Sequence, residues 1–571
     1  DQDKKNLKLL LLLALPLTLL AGFLEYTHSI RPAADGYHVG QSTYGDQSLH
    51  LAIATSAVNA AFPLQNNLMA GATMAYPYLS DTIATSMLMM GMGLPLAMSF
   101  TGTVLCAFVF AGYALLAAEL CRKKGAAALA VLLLFINGGL GFFYTLSATV
   151  ENGVKVTLWD NLRTILTGYY QTPTNQPDPY NLRWVNILCD MLIPQRGFLG
   201  GWAILMPVFL LIVPPMNEKR RARTHDMLLA GVMAGGLPLL HTHSFLALGL
   251  TSAGFCGYAV LEAPKGERLN AFMPFVWFGG VTVALAFPQL AGLTFKQAIS
   301  SDHFLRFQFN WCNNRGGAGL VDPYFWFYIK NIGVPYLLIL LALFQRKKEH
   351  PEDVRQYRFI AAGAFSILLI AEFIIFQPNE YDNNKLLYVW FMLCLPMAAD
   401  YAATLFEKIK GVGGRRVIAV LFIITCFLSA GLTIARECVS DYQAYTNEDI
   451  ATAKYIKENT PEHSVFVTGT QHLNPAASLA GRTIVNGSDL YLYFHGYNTA
   501  QRKAELRAFY QNPAENLDLL TKYGAEYVYV SAWERTAYAV DTDALDSLFP
   551  RVYESAPGGT VIWDCGGGSA P

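Results

Sequence analysis

The stretch from Glu25 to Asp81 is a long polar segment between two strongly apolar runs, and residues at its centre could do acid–base chemistry. Gly45 and Asp46 stand just before the apolar-periodic residues of a predicted helix, so Asp46 lies at the positive helix end, which favours an ionised carboxylate. Such a carboxylate can take a proton from a hydroxyl. His50 follows one turn later, on the face of Asp46. The structural alternative is that Asp46 only caps the helix.

The same segment ends in Tyr76-Pro77-Tyr78-Leu79-Ser80-Asp81. Asp81 is the second candidate catalytic carboxylate. Tyr76 and Tyr78 either line a substrate pocket or serve as interfacial aromatics, which are enriched where a chain meets the membrane surface.

Two cations lie at predicted helix ends on the same side as this segment. Arg196 directly precedes an apolar run, and Lys385 ends the polar hairpin 377–385, whose last residues are Asp382-Asn383-Asn384-Lys385. These positions favour an anion-binding role. Two structural alternatives stay open: Arg196 and Lys385 can be snorkelling anchors, and the hairpin can be a solvated turn.

A third polar feature is His241-Thr242-His243, which interrupts an apolar run at membrane depth. Ionisable groups at such depth are costly, so a place in a substrate pocket is the default hypothesis. The structural alternative is that the two histidines satisfy each other or a backbone carbonyl. As metal ligands they would need a carboxylate from another loop.

The composition predicts an integral membrane protein. Of the 571 residues, 53% are hydrophobic and 15% are charged, and the mean hydropathy is +0.30. That charged share is well under the roughly 25% of soluble domains. No basic patch favours nucleic acid, and the nine cysteines include no metal-type spacing.

Eleven runs are apolar and long enough to cross a bilayer, which takes about 20 residues. They are 7–24, 96–120, 126–147, 198–216, 226–240, 244–262, 270–292, 323–344, 359–376, 386–405 and 417–435. The fifth and sixth can instead form one broken pair around His241-Thr242-His243. Lys and Arg cluster at every second gap, which predicts a cytoplasmic amino end and an external carboxyl end.

The predicted fold class is therefore an α-helical polytopic membrane protein with a small extracytoplasmic α/β domain at the carboxyl end. Residues 1–445 form the transmembrane domain, with external loops 25–95, 148–197, 293–322 and 377–385. Residues 446–565 alternate amphipathic stretches (448–459, 500–511, 515–523) with β-rich runs (464–468, 483–485, 526–530, 561–563). This domain carries no nucleotide-binding motif. Residues 566–571 have the composition of a linker scar.

The chain resembles a family of polytopic membrane proteins of the GT-C glycosyltransferase type. The resemblance rests on GDQSLHLAIATS, FPLQNN, AGATMAYPYLSD, PQRGFLGG, LLHTHSF, the EYDNNK hairpin and NPAASLAGRTIVNG, so it covers nearly the whole chain. It implies a plasma-membrane enzyme that uses a polyprenyl-phosphate sugar, with a glycan, lipid or protein as acceptor. Asp46 then corresponds to the catalytic base of the first external loop. Family members often carry a D-D or E-x-D pair there, whereas here Gln47 follows Asp46, and the nearest other acids are Asp35 and Asp81.

In such an enzyme a phosphate is the leaving group, and its oxygens gain negative charge that cations and amides can stabilise. The residues expected to bind this phosphate are Arg196, Lys385, Arg306, Asn383 and Asn384.

The residues expected to line the substrate pocket are His241, His243, Tyr76, Tyr78 and Asp382. Asp382 is also expected to orient Lys385 or Arg196. His50 or His243 would assist the base through hydrogen bonds. Because the leaving group is already a phosphate monoester, the expected transfer is inverting and uses no metal, with Mn or Mg as the alternative.

Two other functions stay open. One is a transporter or flippase of a polar or lipid-linked substrate, against which the lack of internal repeats argues. The other is a binding or assembly protein of the cell envelope.

Overall fold

A computed structural model of the chain describes residues 2–147, 149–151, 154–217, 223–294, 305–344 and 351–566. The predicted basic gaps at Lys219-Arg220-Arg221 and Arg346-Lys347-Lys348 lie outside these residues, as does most of the predicted linker scar. The chain divides into two compact units. The first, the span unit, comprises Asp1–Glu25, Gly102–Gln289 and His303–Ser440; the second, the sheet unit, comprises Tyr26–Thr101, Leu290–Asp302 and Asp441–Pro571.

The span unit is built almost entirely from helices. They are Gln2–Leu9, Leu10–Ala14, Leu15–His28, Leu94–Leu120, Ala126–Phe135, Gly141–Thr145, Leu158–Thr167, Leu188–Leu192, Arg196–Asn217, Thr224–Gly235, Leu237–Leu240, Thr242–Glu262, Lys265–Glu267, Arg268–Gln289, Arg315–Gly317, Tyr324–Ile332, Val334–Leu343, Pro351–Phe373, Glu380–Asn383, Asn384–Lys408 and Arg415–Val439. Leu15–His28 and Leu94–Leu120 each run on into the sheet unit. Two short antiparallel strand pairs complete the unit, Thr149–Glu151 with Val154–Val156 and Arg306–Phe307 with Ile374–Ile375.

Among the described residues, eight helices are long and apolar enough to cross a membrane, or nine if one bent pair counts as a single span. The eight are Asp3–His28, Leu94–Leu120, Arg196–Val213, Thr242–Glu262, Lys265–Leu293, Arg355–Phe373, Glu380–Lys408 and Arg415–Val439. Over the described residues this number is lower than the predicted eleven. The polytopic helical class is confirmed.

Glycine explains two of the three runs that fall short. The run 126–147 stops at Phe135, because Gly139 has a φ of +63° and lies where a Cβ would stand 2.2 Å from a carbonyl oxygen of Asn331. The run 323–344 bends by 118° at Gly333, whose φ is +81°. The third, 226–240, is divided at Gly236 and ends at the extended residue His241.

The helix Asn384–Lys408 lies at the centre of the span unit. It is mainly apolar, and 89% of its apolar stretch is buried, which is the pattern of a helix packed on every face. Trp390 and Tyr388 are fully buried within it. The residues at its amino end, including Lys385, are therefore held by a rigid element.

The sheet unit contains two sheets. One has five strands in the order Arg551–Glu554, Val561–Asp564, Ala525–Val530, Val465–Val467, Thr483–Ile484, with the last three parallel and the others antiparallel. The other is antiparallel, in the order Arg31–Ala33, Gly36–Val39, Tyr442–Thr446. The helices are Gln47–Ser56, Leu79–Met89, Leu290–Thr294, Asn447–Asn459, Pro475–Ser478, Asp489–Phe494, Ala500–Gln511, Pro513–Glu515, Asp518–Tyr523, Ala532–Tyr538 and Thr542–Leu548.

The predicted α/β domain at the carboxyl end is present, with its predicted helices and strands close to their expected bounds; the strand Arg551–Glu554 is additional. The predicted domain boundary at 445 differs from the observed grouping, because residues 26–101 belong with the carboxyl-terminal part. The reason lies at a sheet edge: Ile484 donates its backbone N–H to Asn67 and accepts one from Ala70, at 2.8 and 3.0 Å. The first loop thus covers an edge strand that would otherwise expose its backbone.

Candidate active site

Asp46 stands at the start of the helix Gln47–Ser56, as predicted, but its side chain makes no capping hydrogen bond. A capping residue normally has extended backbone angles, which turn its oxygen back toward the first helical amides. Asp46 instead has a helical φ of −107° and ψ of −20°. The side chain of Asp46 therefore does not cap the helix that it precedes. Its carboxylate is partly buried at the positive helix end.

His50 and Asp81 form a buried pair between the helices Gln47–Ser56 and Leu79–Met89. The Nδ1 atom of His50 lies 3.1 Å from both carboxylate oxygens of Asp81, and each side chain is 1% exposed. Because a carboxylate accepts, the Nδ1 atom carries the hydrogen, which leaves Nε2 as the acceptor in the neutral ring. His50 was expected to act beside Asp46; the structure shows that Asp81 is the residue that orients it.

Aromatic rings extend from this pair within the sheet unit. The ring of Tyr76 lies 6.3 Å from that of His50 and stacks on His495 at 4.5 Å. Tyr78 is buried, at 4% exposure, which contradicts a simple interfacial role for it. Burial also raises the pKa of the Tyr78 hydroxyl.

Three residues of the carboxyl-terminal part join this cluster without having been predicted. His495 stacks on Tyr76, while His472 and Tyr491 bind the backbone just before Asp46, at Tyr44 and Gly45. They belong to no motif, and Tyr491 is 446 positions away from Gly45 along the chain. Only the resemblance noted in their neighbourhood, NPAASLAGRTIVNG, could have drawn attention to this region.

In the span unit, the polar hairpin supplies Lys385 near the start of the helix Asn384–Lys408. Its Nζ atom lies 3.2 Å from Oδ1 of Asp382, which is one of the two pairings, with Lys385 or with Arg196, that the sequence left open for Asp382. The side chain of Lys385 is only 10% exposed, so the protein encloses it. A helix amino end of this kind already favours an anion, and Lys385 adds a full charge.

Asn383 and Asn384 differ from each other. Asn383 is fully buried and donates its amide hydrogens to the carbonyls of Ala371 and Ile374, at 3.0 and 2.9 Å. That amide fastens the hairpin to the preceding helix and has no hydrogen left for a phosphate. Asn384 is also fully buried, but its Nδ2 has no hydrogen-bond partner among the described residues.

Arg196 and Arg306 occupy different surroundings. Arg196 begins the helix Arg196–Asn217 and is 2% exposed, so it is enclosed by protein rather than snorkelling. Arg306 pairs through its strand with Ile375 and donates to the carbonyl of Pro378 at 3.2 Å. Arg306 therefore lies against the base of the hairpin that carries Lys385.

His241 breaks the helix, as predicted, and caps the next one. Its Nδ1 accepts from the backbone N–H of Ser244 at 3.2 Å, so Nε2 carries the hydrogen. That Nε2 is buried and has no partner among the described residues, and the same is true of Nε1 of Trp202. The two rings flank Phe198, at centroid distances of 5.5 and 4.7 Å.

His243 connects these groups to the hairpin. Its ring centroid lies 5.4 Å from that of His241. Lys385 and Asp382 both lie within electrostatic range of His243. The span unit thus brings His241, His243, Lys385 and Asp382 into one neighbourhood.

Comparisons with known proteins identify the fold. No protein-family model matches the sequence, and no curated protein sequence matches it. The oligosaccharyltransferase of Archaeoglobus fulgidus, tethered to an acceptor peptide with an NVT sequon, is similar in structure, with a TM-score of 0.51 and 11% identity over 96% of this chain and 74% of that one. Its apo form gives a TM-score of 0.51 and 12% identity over 99% and 75%.

ArnT from Cupriavidus metallidurans, in the apo state, matches with a TM-score of 0.47 and 11% identity over 96% of both chains. The oligosaccharyltransferase is a GT-C enzyme. The chain therefore has the fold of the GT-C glycosyltransferases, as its sequence resemblance implied.

Proposed function

We propose that this chain is a membrane glycosyltransferase that moves a sugar from a polyprenyl-phosphate donor to an acceptor hydroxyl. The observation that carries the proposal is Asp46, a carboxylate in the first loop of a GT-C fold that begins a helix without capping it. The acceptor is a glycan, a lipid or a protein.

In the proposed step, the acceptor oxygen attacks the anomeric carbon while the bond from that carbon to the phosphate oxygen breaks. The acceptor proton passes to the carboxylate of Asp46, and the bonding electrons leave with the lipid phosphate. A single displacement of this kind inverts the anomeric centre.

The pairing of Asp81 supports Asp46 as the base. Both oxygens of Asp81 lie at hydrogen-bond distance from His50 and are enclosed, so this carboxylate serves His50. His50, held by Asp81, then offers Nε2 to the hydrogen-bond network around the acceptor.

Lys385, with Arg196 and Arg306, is proposed to stabilise the charge that develops on the donor phosphate. The buried donors of His241, Trp202 and Asn384 support an acidic ligand in the span unit. A buried donor without a partner costs roughly 1–3 kcal/mol, and phosphate oxygens would satisfy it.

An apolar groove supports a long lipid tail on the donor. It has a volume of about 850 Å³ and lies between the spans Thr242–Glu262 and Arg268–Gln289. Its lining begins at Phe245, two residues after His243, and glycines such as Gly249 and Gly279 keep it open. We propose that the prenyl chain lies there.

The proposed transfer is independent of metal, because the leaving phosphate monoester needs no further activation. Chelation with EDTA should therefore leave the rate of sugar transfer unchanged. A loss of activity that manganese or magnesium restores would contradict this and would make Asp46 and His50 candidate ligands.

The amino end is proposed to be cytoplasmic and the sheet unit external, in the plasma membrane, as the spacing of Lys and Arg predicts. Labelling a cysteine introduced at Asp518 with a membrane-impermeant maleimide tests this. Labelling only in lysed cells would overturn the orientation.

The function itself is tested by transfer of label from a radiolabelled polyprenyl-phosphate hexose to envelope acceptors in detergent. Label in the acceptor, lost in the Asp46→Asn protein, is the expected result. Movement of the intact lipid across vesicles without transfer would favour a flippase. Binding of envelope components with neither activity would favour an assembly protein.

A further inference from the structure

The turn that leads into Asp46 is held by side chains from the carboxyl-terminal part of the sheet unit. The first backbone hydrogen bonds of the helix Gln47–Ser56 go to the carbonyls of Thr43 and Asp46. Between them lie the carbonyls of Tyr44 and Gly45. These two accept hydrogen bonds from His472 and Tyr491 instead.

The hydrogens of this arrangement can be assigned. The hydroxyl of Tyr491 donates to the Gly45 carbonyl at 2.8 Å. The Nε2 atom of His472 lies 3.2 Å from the Tyr44 carbonyl, which can only accept, so Nε2 carries the hydrogen. The same Nε2 lies 3.2 Å from the Tyr491 oxygen, which can accept from it. The N–H of His472 is therefore shared between the Tyr44 carbonyl and the Tyr491 oxygen, and the hydroxyl of Tyr491 in turn donates to the Gly45 carbonyl.

Packing fixes the two side chains. The rings of His472 and Tyr491 stack at 4.9 Å, and Tyr44 stacks on His472 from the turn itself at 6.3 Å. Tyr491 is 4% exposed. Burial raises the pKa of its hydroxyl well above the ordinary value, and the charge of Asp46 adds to the rise. The hydroxyl therefore remains a donor throughout the neutral range.

The same region also holds the helix behind the turn. The hydroxyls of Ser48 and Ser478 lie 2.6 Å apart, and Thr55 donates to the carbonyl of Ser478 at 3.1 Å. Gly481 lies where a Cβ would approach the Thr55 backbone to 2.7 Å. The residues that carry Asp46 and His50 are therefore fixed at both ends by residues 472–491.

We propose that His472 and Tyr491 are positioning residues for Asp46. They hold the Tyr44–Gly45–Asp46 turn, and through it they aim the carboxylate that takes the acceptor proton. This inference rests on the proposed function and deepens its site, because it makes the carboxyl-terminal part a component of the catalytic apparatus.

The test compares four variants of the full chain in the transfer assay with a radiolabelled polyprenyl-phosphate hexose. Tyr491→Phe and His472→Phe keep the rings but remove the donors, and His472→Gln restores an N–H where Nε2 stood. Tyr455→Phe is the matched control, because its hydroxyl also donates to a backbone carbonyl of the sheet unit, that of Val552.

Tyr491→Phe and His472→Phe should each lower kcat about tenfold or more, since a small misplacement of a catalytic group is costly. KM for the donor and the melting temperature should change no more than in Tyr455→Phe, and His472→Gln should recover most of the lost kcat. If Asp46→Asn is inactive but Tyr491→Phe and His472→Phe have the same kcat as Tyr455→Phe, the inference about His472 and Tyr491 is wrong. The proposed function is not affected by that result. Full activity in Asp46→Asn would remove Asp46 as the base and overturn this inference with it, whereas the absence of sugar transfer in the wild-type protein would overturn the proposed function.

Discussion

Two groups of side chains, one in each unit, differ in how the protein satisfies them, although the sheet unit also buries polar atoms without a partner among the described residues, such as Nε2 of Gln47 and the hydroxyl of Tyr78. In the sheet unit His50 has Asp81, and the turn before Asp46 has His472 and Tyr491. In the span unit the donors of His241, Trp202 and Asn384 are buried without partners among the described residues. The contacts of His50 and of the turn before Asp46 are formed before any ligand arrives, whereas the three span-unit donors offer hydrogens that an anionic ligand would accept.

This difference separates the expected effects of mutation. Changes in the sheet unit should act on the rate of the chemical step, because that region is proposed to orient the base. Changes in the span unit should act on the affinity for the donor. Each prediction below tests one side of this comparison.

The largest effect is expected for Asp46→Asn. Asn begins a helix about as well as Asp, so folding should be unchanged. Transfer should fall about 100-fold, the usual contribution of a general base. The measurement is kcat with a radiolabelled polyprenyl-phosphate hexose, alongside the melting temperature.

Asp541→Asn is the matched control for this change. Asp541 does cap its helix, accepting from the backbone N–H of Ala544 at 2.9 Å. Its replacement should leave both kcat and melting temperature near wild type. Near wild-type turnover in Asp46→Asn would remove Asp46 from the mechanism and make Asp81 the leading candidate.

Lys385→Ala should weaken binding of the donor about 10- to 100-fold, as expected for loss of one hydrogen bond to a charged group. Lys385→Arg should be partly tolerated, because a point charge needs less exact geometry than a bidentate fork. Affinity is measured by calorimetry with the polyprenyl-phosphate hexose in detergent. Lys503→Ala removes a lysine paired with Asp489 in the sheet unit and should not change that affinity. Unchanged affinity with a lowered melting temperature in Lys385→Ala would give Lys385 a structural role only.

The parts of the site that the sequence predicted depend on neighbours along the chain. The helix start at Asp46 follows from a polar residue before an apolar period, and the pair Asp382–Lys385 from a spacing of three. The role of Asp81 toward His50 needed the packing of two helices. His472 and Tyr491 could not be predicted, because nothing local marks a residue that binds a carbonyl more than 400 positions away.

The fold shows the same limit. Hydropathy located the long spans well, since burial in lipid requires a continuous apolar run. It overestimated the runs that contain Gly139 and Gly333, which have positive φ angles, and the run that ends at His241, which is extended. The grouping of the first loop with the carboxyl-terminal part depends on backbone pairing at Ile484, which hydropathy does not report.

Gly279→Leu tests the apolar groove of the span unit. A Cβ at Gly279 meets nothing within 4 Å, so the larger side chain should enter the groove without disturbing the helices. Displacing the equivalent of two prenyl methylenes, about 0.8 kcal/mol each, should raise KM roughly tenfold for a long-chain donor. Gly280→Leu is the control, because Gly280 is equally open but lies outside the groove lining. An equal rise in KM for a short-chain donor would show that the groove does not hold the tail.

The smallest effect concerns the hydrogen-bonded surface of the sheet unit, where Asp441 accepts from Arg31 and His38 at 2.7 and 2.8 Å. Burial acts to raise the pKa of Asp441, but the hydrogen bonds of His38 and Arg31 outweigh it and hold the pKa below its ordinary value of 3.8.

A carboxyl group whose pKa is lowered by folding stabilises the folded state above its ordinary pKa, and that contribution disappears as the pH falls through the folded value. The difference in melting temperature between wild type and Asp441→Asn should therefore shrink as the pH falls from about 5 to about 3. Asp518→Asn, at an exposed helix start, should show no such dependence. A difference that stays constant or grows between about pH 5 and about pH 3 would mean that the charge of Asp441 does not stabilise this unit, and the contrast between the paired and the ligand-dependent groups would lose this part of its support.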